Sequence, residues 1–150
     1  MALLPPSTNA DYRGSRFSTW FLCLSAALTI VPGMIHYFLP DGGAGVIAHM
    51  DLTTRADVII SLFAWNGAIQ IPYGILILII ALRYQSLVPL VLLALILMQS
   101  LATFSAWFWK GSHDGHHPPG HYGHTVFLVL SVVFLILSLR PQRAQSELIA

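Results

Sequence analysis

The residues best suited to chemistry in this 150-residue chain are its histidines. Seven occur, and five of them, His113, His116, His117, His121 and His124, fall within twelve residues. A segment biased in this way is of the kind that binds metal. Imidazole suits zinc, copper, nickel and iron. His36 ends an apolar run far upstream and is expected to reach the same rim. His121 and His124 are three apart and could share a helix face. His113 and His117 are four apart, but Gly115, Pro118 and Pro119 argue against a regular helix there. Asp41, Asp51 and Asp114 add oxygen ligands on the same side. Neither an HExxH nor a cysteine-based zinc pattern is present. One expectation is therefore a divalent-metal site drawn from His36, His113, His116, His117, His121 and His124. Haem held by a facing pair such as His36 and His124 is a second. A solvated polar loop at the level of the lipid headgroups is the third.

A second set of residues lies inside the apolar runs. Asn66 and Gln70 are four apart and share a helix face. Ala64, Gly67, Ala68 and Gly74 lie on or near that face, and small residues let helices approach closely. Gln99 sits in the next run. Counting about 1.5 Å per residue from the outer ends, Asn66 lies roughly 13 Å deep and Gln99 roughly 15 Å. The two amides could then meet as interhelical glue, worth about 0.6 kcal/mol per hydrogen bond. Alternatively, Asn66, Gln70 and Gln99 line a site for a ligand or a quinone head group. Pro32-Gly33 and Pro72 should bend their helices. No Asp, Glu, Lys or Arg lies deep in any run, which disfavours an ion or proton pathway.

The elements that must position these groups are four apolar runs, at about 17–39, 57–82, 87–109 and 124–139. Composition agrees: 56% of the residues are hydrophobic and only 9% are charged, against about 25% charged in soluble domains. A helix needs about 20 residues to cross the hydrocarbon core. Lipid offers no partners to open backbone groups, so helices are expected, and strand-like alternation is missing. The predicted fold is all-α, an integral membrane four-helix bundle of antiparallel, up-down topology in one domain. Only about four residues, 83–86, join the second and third runs, so these are expected to pair as a hairpin. Residues 1–11 and 142–150 read as flexible tails.

Arg13 and Arg16 before the first run also fit a signal peptide, but the run is long and no small-residue cleavage site follows. An uncleaved helix is expected. Arg13, Arg16, Arg83, Arg140 and Arg143 would share one side, and Arg55 and Lys110 the other. The positive-inside rule then puts both termini in the cytoplasm. A net charge of +1 gives no basic surface for nucleic acid. The one cysteine, Cys23, lies within the first run and reads as a packing residue.

Gly33 to His36, Pro40-Asp41 with the small-residue loop after it, and the polar, glycine-containing stretch Ala64 to Gly74 carry a resemblance to the DoxX-like four-helix membrane proteins. It covers about the first half of the chain. It implies a bacterial inner-membrane protein, in a group whose members include subunits of quinone-coupled redox complexes. The histidine-rich segment is outside that pattern, so no functional residue is carried over. No nucleophile–base pair, phosphate loop or paired intramembrane carboxylate is visible. The leading expectation is a non-catalytic accessory or scaffold subunit, in a homo-oligomer or a larger membrane complex. A membrane redox, metal- or haem-binding protein is the alternative, and a small-molecule permease component a further one.

Overall fold

The computed structural model describes residues 3–111 and 117–141. Among them all regular structure is helical. The helices are α1 (Arg16–Phe38), α2 (Ala56–Arg83), α3 (Val88–Phe104) and α4 (Pro119–Leu139). A 3-10 turn, Gln85–Leu87, leads into α3, and a π-helical turn, Ser105–Trp109, extends it. Four helices are thus long and apolar enough to cross a membrane.

Local chemistry sets the boundaries. Ser15 caps α1, its hydroxyl accepting the Phe17 N–H at 3.2 Å, which satisfies an amide the helix leaves open. The sequence suggests Asp51 or Thr53 as the cap of α2. Asp51 instead accepts the Thr53 N–H at 2.8 Å, and the helix opens at Arg55, in the left-handed region at φ 56°. The largest shift is at α4, which starts at Pro119 rather than His124. The prolines expected to prevent a helix begin one, because proline at the first helical position has no N–H to lose and a helical φ already set. His121 and His124 are therefore helical residues.

Packing departs from the expected pairing. The closest partners are α1 with α2 and α3 with α4, while α2 and α3 barely touch despite their short connection. Glycine explains the first pair. A Cβ on Gly67 would lie 2.6 Å from the Gly33 carbonyl oxygen and 2.8 Å from the Tyr37 amide nitrogen. One on Gly74 would lie 2.5 Å from the Ile30 side chain and 3.1 Å from the Ala26 carbonyl. The small face of α2 receives α1, not α3. A core of Leu22, Ala26, Ile77, Ala81, Val88, Leu92 and Leu95 fills the half of the bundle nearer the α2–α3 connection. Phe21 stacks there on Phe134, with centroids 4.3 Å apart, and on Phe127 at 5.7 Å.

The segment expected to be an N-terminal tail is docked from Pro5 onward. Ser7 Oγ and the Thr8 amide donate to the Arg83 carbonyl at 2.9 and 3.0 Å, and Asn9 Nδ2 donates to the Leu82 carbonyl at 2.8 Å. Tyr84 Oη donates to the Pro5 carbonyl at 2.8 Å. These bonds occupy carbonyls that the end of α2 would otherwise leave unpaired.

Gly67→Leu should lower stability by about 1–3 kcal/mol or more, because the added carbons meet backbone rather than movable side chains. Gly123→Ala, where nothing lies within 4 Å of the new carbon, should be close to neutral. Thermal unfolding of both variants in detergent checks the contrast.

Candidate functional site

Away from the packed core, in the half beside the α1–α2 loop, the four helices leave a cavity of about 350 Å³. α1 contributes Ser25, Thr29, Pro32 and His36 to its wall. α2 contributes Asn66 and Gln70, and α3 contributes Gln99. His124 comes from α4, where Gly120 and Gly123 leave the wall bare of side chain. Leu28, Leu95 and Phe127 complete an apolar surface. Among the described residues, no Asp, Glu, Lys or Arg lines it.

Each histidine in the wall is held through Nδ1. His36 Nδ1 lies 2.8 Å from the Gly42 carbonyl oxygen. Its ring stands edge-on to Phe63, with centroids 4.9 Å apart. His124 Nδ1 lies 2.6 Å from Gln99 Oε1. Gln99, expected to meet Asn66 across an α2–α3 hairpin, thus bonds to α4 instead, although both amides face the same cavity. The difference follows from the helix pairing, which brings α4 and not α2 alongside α3.

Gly42 is placed by the loop after α1. Gly42 and Gly43 take φ of 62° and 78°, values that cost glycine nothing. The Asp41 carboxylate ties this turn together, accepting N–H from Gly43 at 2.8 Å, Gly45 at 3.1 Å and Val46 at 2.9 Å. These amides, the Val46 amide foremost, hold its pKa below the usual carboxylate value. Asp41 therefore acts here as the anchor of the loop that orients His36.

The remaining described histidines lie elsewhere. His117 and His121 gather round Trp107, with centroids at 4.8 and 6.1 Å, and Tyr122 joins them at 5.5 Å. Trp107 Nε1 donates to Thr125 Oγ1 at 3.1 Å, which fastens the end of α3 to α4. His113 and His116, and with them part of the proposed metal set, lie outside the described residues. Among the described residues no three His, Cys, Asp or Glu side chains gather as a metal ion would need. The structure places His36 and His124 in the cavity wall with the amides Asn66, Gln70 and Gln99, and His117 and His121 against Trp107.

Ser25 and Thr29 do not stand out in the sequence, and Pro32 stands out there only as a bend. With His36 they fall at intervals of four, three and four, a single helical stripe, and that spacing was the signal available. No family model, curated protein or solved structure was found to match this chain.

The Asp41 turn should be acid-sensitive. A lowered carboxyl pKa contributes stability that is complete above the ordinary carboxylate value and is lost as pH falls through the lowered one. Protection of the Gly43 and Val46 amides from hydrogen exchange should persist to mildly acidic pH and then fail, and Asp41→Ala should abolish it at neutral pH. Unchanged exchange in Asp41→Ala would refute the anchoring role.

Proposed function

We propose that this chain is a four-span integral membrane protein of up-down topology, with both ends in the cytoplasm. It serves as a non-catalytic subunit that holds a small amphipathic ligand between its helices. The membrane reading is supported by the four apolar helices and by what they expose. Leu62, Leu97 and Val129 are 57%, 59% and 60% exposed, a surface that lipid accepts and water does not. Orientation follows from charge: Arg13, Arg16, Arg83 and Arg140 belong to the ends grouped on one side, against Arg55 and Lys110 on the other.

The observation that carries the ligand reading is the cavity itself. Interhelical pockets with apolar walls and a few convergent polar groups are where bundles bind ligands. Two imidazoles and three amides converge on this one. A catalytic role is not supported by its hydroxyls. Ser25 and Thr29 bond to helix carbonyls, with no imidazole positioned to activate them. The resemblance to DoxX-like proteins agrees with a subunit of this kind, and the outward apolar faces suit lipid or a membrane partner.

Two measurements test this. In a Cys23→Ser background, Lys110→Cys should react with an impermeant maleimide in intact cells, and Ser86→Cys should be protected; the reverse pattern inverts the topology. Gly123→Trp should place its ring in the open space beside α4 and fill the cavity. Mass spectrometry of organic extracts from wild-type protein should detect a small molecule at near one per chain that the variant lacks. Identical extracts would sink the ligand reading.

A further inference from the structure

We propose that the groove between the start of α1 and the end of α2 binds an anionic phospholipid, with the lipid phosphate on the Arg16 guanidinium. The proposal rests on the four-span membrane reading and is independent of the cavity described above. The groove measures about 460 Å³. Its flanks, Trp20 and Leu82, are 71% and 61% exposed, so it opens towards the surroundings of the bundle. Arg16, Trp20 and Cys23 follow one another at intervals of four and three along one face of α1. At about 1.5 Å per residue, Trp20 stands roughly 6 Å and Cys23 roughly 10 Å below Arg16. Charge, amphipathic ring and small thiol thus succeed each other from the helix end inwards. A phospholipid presents phosphate, glycerol and acyl chain in the same order, and tryptophan is enriched at the headgroup level of membranes.

The charge of the groove is one-sided. Arg16 is exposed and, among the described residues, makes no hydrogen bond or ion pair. Among the same residues, no Asp or Glu lines the groove. Two other arginines of this end are placed differently. Arg83 donates from Nε and Nη2 to the Pro5 carbonyl, both at 3.3 Å. Arg13 lines a separate depression together with Asp11, whose carboxylate competes with any incoming anion. A guanidinium takes phosphate through two parallel N–H···O bonds. Arg16 combines that free fork with an apolar floor, Cys23 and Ala81, beneath it.

The docked N-terminal segment builds the opposite rim. Asn9 Nδ2 donates to the Leu82 carbonyl at 2.8 Å, and Asn9 Oδ1 accepts the Gln85 N–H at 3.2 Å. Gln85 Nε2 donates to the Ala81 carbonyl at 3.3 Å. These bonds fix both side-chain amides at the groove, and each amide nitrogen has a second N–H to give to phosphate or ester oxygens. Basic pockets between helices at the cytoplasmic face are where anionic headgroups bind. A zwitterionic lipid fits less well. It brings the same phosphate, but its ammonium comes to lie near Arg16 with no carboxylate in the groove to receive it. A soluble phosphate satisfies Arg16 and leaves Trp20 and the apolar floor uncovered.

The test is native mass spectrometry of the full chain, delipidated in detergent and titrated separately with dioleoylphosphatidylglycerol and dioleoylphosphatidylcholine. The first phosphatidylglycerol should bind about fivefold tighter than the first phosphatidylcholine, or better. Arg16→Gln should bring the two lipids level. Arg13→Gln, which removes the same charge from the same end, should keep the preference. Arg16→Lys should retain much of it, so that a loss confined to glutamine reports charge and not misfolding. A preference absent in wild type, kept in Arg16→Gln, or lost equally in Arg13→Gln would overturn the site. Excess inorganic phosphate should leave the lipid bound; displacement would overturn the lipid in favour of a soluble phosphate ligand. A chain that stays in solution without detergent would overturn the membrane reading and the lipid site together, whereas one that needs detergent and shows no preference overturns the site alone.

Discussion

The arrangement of this bundle depends on the close approach of two backbones, α1 and α2, at Gly33 and Gly67. Nothing larger than hydrogen fits on Gly67, where the Gly33 carbonyl and the Tyr37 amide already stand. That contact sets the level of α2 against α1 and brings Asn66 and Gln70 beside His36. It also orients Gln70 directly, because a Cβ on Gly33 would lie 2.9 Å from the Gln70 Cβ. Close packing of small residues is what holds apolar helices together wherever lipid surrounds them.

The second pair, α3 and α4, is held differently. Polar bonds join it at one end, Gln99 to His124 and Trp107 to Thr125. The two pairs then meet over Phe21, Leu22, Ile77 and Leu92, where large side chains fill the space. Further along, the facing residues are Ser25 and Thr29 on α1 and Gly120 and Gly123 on α4. These are too small to close the gap, and the cavity is that deficit in volume. The polar groups around it are those left over once the helices have satisfied themselves.

Much of this was legible in the sequence, and the rest was hidden for identifiable reasons. The four helices were visible as long uncharged apolar runs, and their ends came within a few residues except at Pro119. There the same residue type serves as breaker inside a helix and as opener at its start. Asn66, Gln70 and Gln99 stood out as amides in apolar surroundings. Their partners did not, since a short connection says which helices are neighbours in the chain and not which ones pack. Gly67 and Gly74 announced a close approach without naming the helix that makes it. The Ser25–His36 stripe was masked because serine and threonine in a helix usually bond to their own backbone. Histidine spacing suggested one cluster, whereas α4 turns His121 and His124 towards different neighbours.

The docked N-terminal segment bears on the order in which the chain is assembled. Ser7 and Asn9 are made before their acceptors, Arg83 and Leu82, which come 76 and 73 positions later. At roughly 5–20 residues per second, the ribosome needs about 4–15 s to supply them. α1 is finished partway through that interval, and until α2 follows its leading segment lacks these acceptors. The bonds close only after α2 has been delivered, so they act as a latch on a finished helix pair and not as a guide for its insertion.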